Sequence, residues 1–130
     1  MAKTKTWQEK MNHPAVPELK PLEKGFAGFE PGAVMLIPTP RLIEAYLMTL
    51  KAGETATVIQ MRESLAKEHG ADFTCPLTTG IFLRTVSEAS LDSEATVDTP
   101  FWRLVEPKSP LAKKLSCGPD WIAAQRAAEA

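Results

Sequence analysis

The chain has no long apolar run, almost no cysteine and no excess of either charge, and each shortage excludes a class of protein. Its longest apolar stretch, Ala33–Ile37, falls far short of the ~20 residues of a membrane-spanning helix. Met1 is followed by Ala2-Lys3-Thr4-Lys5 rather than by an apolar segment, so a secretory leader is not expected and the cytoplasm is the expected location. Cys75 and Cys117 are the 2 cysteines. They form no Cys-x-x-Cys pair, and His13 and His69 are not spaced as partners, so free thiols and no metal site are expected. The formal net charge is −1. Bulk electrostatics therefore cannot hold a nucleic acid, and a local basic patch would have to do so.

Enzyme signatures are equally scarce. A Gly-rich phosphate loop, Gly-x-Ser-x-Gly and His-Glu-x-x-His are all missing. The carboxylates are scattered among Lys and Arg at helical spacing, as on solvated faces, and no cofactor is implied. Cys75 is the best nucleophile candidate. It stands where a helix should begin, and a helix N-terminus lowers a thiol pKa. The simpler reading is a partly buried capping cysteine beside a solvent histidine, His69.

What remains is enough for one domain. The chain has 130 residues, of which 44% are hydrophobic and 24% charged, so it can bury a core. Pro14, Pro17, Pro21, Pro31, Pro38 and Pro40, of 11 prolines in all, crowd the first forty positions. Proline removes a donor and fixes φ. Residues 1–40 therefore read as an extended arm, with one short helix over Lys3–Met11 and anchors at Phe26, Phe29 and Val34–Ile37. No central strand is expected there. Residues 41–130 read as the folded domain.

After Pro40 the pattern turns helical. Ile43, Tyr46, Leu47 and Leu50 mark one face of a first helix, ended by Lys51-Ala52-Gly53. Thr55–Val58 reads as a short strand. Val58, Met61 and Leu65 stripe a second helix over Ile59–Glu68. Gly70-Ala71-Asp72 turns the chain, and Thr74 or Cys75 caps a third helix with Pro76 at its first position. Phe82, Val86 and Ala89 give that helix its core face. Asp92–Thr99 reads as an acidic loop. Phe101–Val105 then reads as a strand, with the Lys108–Lys114 segment as a short hairpin or wing, and a final helix starts near Gly118. The expected class is mainly α with a small β wing: a winged-helix-like helix-turn-helix domain with an N-terminal extended arm.

Within that layout Thr78, Thr79 and Gly80 keep the start of the third helix slim, while Arg84 projects from it. Arg103, Lys113 and Lys114 add positive charge further along. Together they suit a DNA footprint of a recognition helix plus phosphate contacts, and equally suit ordinary solubility charge.

The order of these pieces resembles the DNA-binding domain of methylated-DNA–protein-cysteine methyltransferases and the related alkyltransferase-like proteins. The resemblance runs from Pro40 to the end. It rests on Lys51-Ala52-Gly53, the Met61–Ala66 helix, Thr79-Gly80-Ile81-Phe82-Leu83-Arg84, Pro100-Phe101-Trp102-Arg103-Leu104-Val105 and the closing Gly118–Glu129 helix. It implies a third helix that docks on DNA beside a pocket for a flipped base. In that family the pocket reads Pro-Cys-His-Arg-Val. Here Pro100 and Arg103 match, but Phe101 stands for the acceptor cysteine and Trp102 for the histidine, so alkyl transfer is chemically excluded at that position. Leu77 or Thr78 takes the place of the intercalating arginine, and Val58 that of the nucleotide-turning tyrosine. An apolar wedge can still open a duplex. Phe101 and Trp102 either fill the pocket as core or line a stacking site for a base. The resemblance thus implies a non-catalytic DNA-binding protein that recognises alkylated or altered bases in repair; the alternatives are a protein-interaction module on the same fold, or a thiol enzyme using Cys75.

Overall fold

The computed structural model describes residues 6–92 and 99–130. The start of the Lys3–Met11 helix and most of the Asp92–Thr99 loop lie outside them. The coarse expectation holds: helices dominate and one small sheet accompanies them. The position of that sheet differs from expectation.

The sheet is built largely from the proline-rich segment. Strand β1 (Glu18–Pro21) pairs antiparallel with β2 (Val34–Ile37), and β2 pairs in parallel with a two-residue strand β3 (Phe73–Thr74). So β2 is a central strand, contrary to the sequence reading. The reason is where the prolines fall. Pro17 and Pro21 bracket an edge strand and Pro38 follows β2, so Val34-Met35-Leu36-Ile37 keeps every donor it needs. Leu36 is completely buried. Asp72 locks the register: its Oδ2 accepts from the Val34 N–H at 2.7 Å and its own N–H donates to the Val34 carbonyl at 2.8 Å.

Several helices start on a side-chain cap. Helix α1 (Trp7–Met11) begins with a Thr6/Glu9 capping box. In α2 (Pro40–Leu47), Thr39 accepts from the Leu42 N–H and Pro40 fills the first turn. Ile43 and Leu47 are buried as their spacing predicts. The helix ends at Leu47, one turn earlier than expected, and Gly53 (φ +87°) turns the loop beyond it rather than capping the helix. Thr55–Val58 is no strand. Thr57 and Gln60 form a second capping box, which draws Val58 into the first turn of α3 (Val58–Glu68).

The expected third helix is α4 (Pro76–Leu91), with Pro76 first; Cys75 occupies the cap position but its side chain makes no capping bond, and the Thr74 hydroxyl donates to the Arg62 carbonyl instead. Leu83, Val86 and Ala89 form its core face, with Phe82 only half-buried. Three buried hydroxyls on α4 are satisfied one turn back: Thr79 donates to Cys75 O, Thr85 to Ile81 O and Ser87 to Leu83 O. That is why a polar stripe can face the interior.

The expected strand and wing after Pro100 are absent. Phe101–Arg103 is a 3-10 turn, and α5 (Pro110–Lys114) is a short helix capped by Ser109. Phe101, Trp102, Leu104 and Val105 are all buried; a strand would send successive side chains to opposite faces, whereas the tight turn points all four inward. Helix α6 (Gly118–Glu129) closes over them, with Ile122 in the core. Among the described residues no helix is long and apolar enough to cross a membrane.

Candidate functional site

The residues singled out in the sequence separate into two groups. The first is the segment that the sequence resemblance sets against a pocket. Phe101 is completely buried and Trp102 is 7% exposed. Phe101 stacks on Trp121 of α6 with ring centroids 5.6 Å apart and planes 8° from parallel. Trp102 meets both rings edge-on, at 5.6 and 5.8 Å. Pro100 is buried beside them. Of the two readings, core or stacking site, the geometry is that of a core: neither ring presents a face for a base.

Arg103 belongs to the same structural unit. Its guanidinium binds Glu129 through Nε and Nη2, the shortest contact being 2.7 Å, and donates through Nη1 to the Leu50 carbonyl at 2.6 Å. The Arg103 carbonyl accepts from the Ala56 N–H at 3.0 Å. The side chain thus ties α6, the loop after α2 and the 3-10 turn together, and its donors are spent inside the protein. The bidentate bond from Arg103, against the opposing effect of burial, holds the Glu129 carboxyl well below the usual range, at about 2. The same bond raises Arg103.

The second group lies on α4. Leu77 and Ile81 are 65% and 62% exposed, and Gly80 and Arg84 are also exposed. Their spacing places them on one stripe of the helix, opposite Leu83 and Val86. Gly80 has open space where a Cβ would sit, so the backbone there can approach another surface closely. Thr78 and Thr79 do not share this face. The Thr79 hydroxyl bonds inward and the Thr78 Oγ1 is buried.

No protein-family model matches the chain, and no curated protein or solved structure matches it either.

The expected residues are only partly brought together. Gly80 and Arg84 share the α4 face; Arg103 is committed to Glu129; Lys113 and Lys114 are exposed on α5, which packs against α6. Arg84 has a different neighbour, its guanidinium carbon 5.7 Å from the centre of the Trp7 ring on α1. Cys75 is buried, and the nearby His69 is engaged through Nδ1 with the Leu65 carbonyl at 2.9 Å. The thiol candidate is therefore a packed residue at a helix start. Burial pushes the Cys117 thiol upward, away from the reactive thiolate.

Sequence reasoning missed the contribution of α1. Trp7, Lys10 and His13 border a groove of about 540 Å³ between the N-terminal segment and α4, with Arg84 and Ile81 on its other side. Nothing in the sequence signals that a helix of five residues packs on α4. The exposed Leu77–Ile81–Arg84 stripe, by contrast, was legible from helical spacing once α4 was placed.

Proposed function

We propose that the protein is a non-catalytic binding domain that docks α4 on DNA, as its resemblance to the alkyltransferase-like proteins implies. The observation that carries the proposal is the uncovered α4 face. It follows α3 after the Gly70 turn and strand β3, and it presents Leu77 in its first turn, Gly80 and Ile81 in the next, and Arg84 beyond them. An exposed leucine at the leading end of a recognition helix has the shape of an apolar wedge for a base step, and the open Gly80 lets the helix press against the backbone. Phe101, at the position of the acceptor cysteine, has no nucleophile. The domain would bind without reacting.

Fluorescence anisotropy with an unmodified duplex and an O-alkylguanine duplex tests this. Each cation that meets a phosphate, Arg84 first among them, predicts a roughly three- to fourfold loss of affinity between 50 and 200 mM salt. Arg84→Ala should weaken binding of both duplexes and flatten the salt dependence. A second reading is favoured by Leu77 and Ile81 themselves, since two large exposed apolar side chains on a chain of net charge −1 also suit a protein partner. Absence of binding to either duplex at low salt would overturn the DNA reading and leave the partner-binding one.

A further inference from the structure

The groove beside α4 shares Ile81 and Arg84 with the docking face and adds residues that DNA docking does not use. Trp7 carries two cations on one indole. Lys10 Nζ lies 4.3 Å from the ring centre and the Arg84 guanidinium carbon 5.7 Å from it. Both line the groove, as does His13. Among the described residues neither Lys10 nor Arg84 has an ion-pair partner. The one carboxylate on the lining, Glu18 of β1, pairs with neither. Two like charges gathered on one ring repel each other, and the indole quadrupole offsets this only in part. Both charges face the same groove, so an anion held there would relieve the repulsion and meet charge-assisted donors.

Apart from His13, Glu18, Thr39 and Thr85, the rest of the lining is apolar. Val16, Ile37, Pro38, Ile81 and Phe82 supply most of it, and Val16 is 76% exposed. A half-open groove of about 540 Å³ has the size of a small-molecule site. An apolar wall ending in a cationic pair defines the chemistry of its occupant.

We infer that this groove binds a small amphipathic carboxylate, with the carboxylate on Lys10 and Arg84 at the Trp7 ring and the apolar body along Val16, Ile37 and Ile81. The inference shares Arg84 and Ile81 with the DNA face but rests on the groove alone, and it stands if that reading fails.

The probe is decanoate, kept below its micelle concentration, with decanol and decyltrimethylammonium as neutral and cationic counterparts. Titration calorimetry on the full chain should show saturable decanoate binding at least tenfold tighter than that of either counterpart. Lys10→Gln and Arg84→Gln should each reduce that preference three- to tenfold. Val16→Glu, at an exposed position that leaves the fold intact, should abolish binding. Decanoate should quench tryptophan fluorescence in the wild type but not in Trp7→Phe. Equal binding of decanol, absence of saturable decanoate binding, or unchanged binding by Val16→Glu would each overturn the assignment.

Discussion

Replacing Arg103 by alanine should cost the protein stability and leave its ligand affinity alone. The substitution removes a guanidinium whose side chain is 16% exposed, facing a carboxylate that is 17% exposed. It leaves the Glu129 carboxylate with the long 3.5 Å contact from the Gly53 N–H, and the Leu50 carbonyl without its guanidinium donor. Breaking a fully buried pair costs about 3–5 kcal/mol, mostly as the penalty of the charge left behind; partial solvent access brings the figure here to about 3 kcal/mol. For a domain of this size that is a fall in Tm of roughly 10 °C. Urea unfolding followed by circular dichroism measures it, and Arg103→Met combined with Glu129→Leu should recover much of the loss, because neither charge is then stranded. The pH dependence supplies a second check. Glu129 sits at about 2 in the folded chain against an ordinary 4.5. A lowered folded pKa contributes stability that is fully present above the unfolded value and is lost as pH falls towards 2. Glu129→Gln should flatten this part of the acid limb. A loss below about 0.5 kcal/mol for Arg103→Ala, the range of an ordinary surface change, would refute the role given to the pair. So would a drop in DNA affinity of the folded variant without loss of stability, since it would mean that Arg103 faces the ligand after all.

Phe101→Ala should cost about 3–5 kcal/mol by opening a cavity between Trp102 and Trp121, seen as a large fall in the urea midpoint and a red shift of tryptophan emission. Gly53→Ala should cost about 1–2 kcal/mol, because φ is +87° and the new Cβ would lie 3.2 Å from the Glu129 carbonyl; thermal melting reads this directly. Leu77→Glu should leave the melting temperature unchanged and lower DNA affinity at least tenfold, by placing a carboxylate against the phosphates. Unchanged affinity would count against α4 as the docking face.

Much of the helical framework was legible because local chemistry and packing agree there. The Ile43–Leu47 spacing and the cap position before Pro76 gave α2 and α4. The burial of Phe101 and Trp102 was legible as one of two readings, and contact with Trp121 decides between them. The failures have physical causes too. Counting prolines over residues 1–40 hid the proline-free Val34–Ile37 strand, whose partners Phe73 and Thr74 lie far along the chain. Aromatic and β-branched residues after Pro100 imitate a strand, yet a run buried on every side carries no period by which to tell a strand from a tight turn. Ser109 and Pro110 together mark a helix start, and there the supposed wing was misread. At the candidate site, charge alone grouped Arg84 with Arg103. Only the position of Glu129 shows that one is exposed and the other spent, and no local pattern reveals that partnership 26 residues away.

The parallel pairing of β2 with β3 also sets an order of events during synthesis. The strand at Val34–Ile37 leaves the ribosome well before its partner, since Val34 and Asp72 are separated by 38 positions. At about 5–20 residues per second, that interval lasts roughly 2–8 s. Until then only the β1–β2 hairpin can form, and a lone hairpin is at best marginally stable in water. The N-terminal segment therefore waits for α3 and the Asp72 turn before it is held. In the interim Leu36 is exposed, and a chaperone that recognises short apolar segments has its opportunity then.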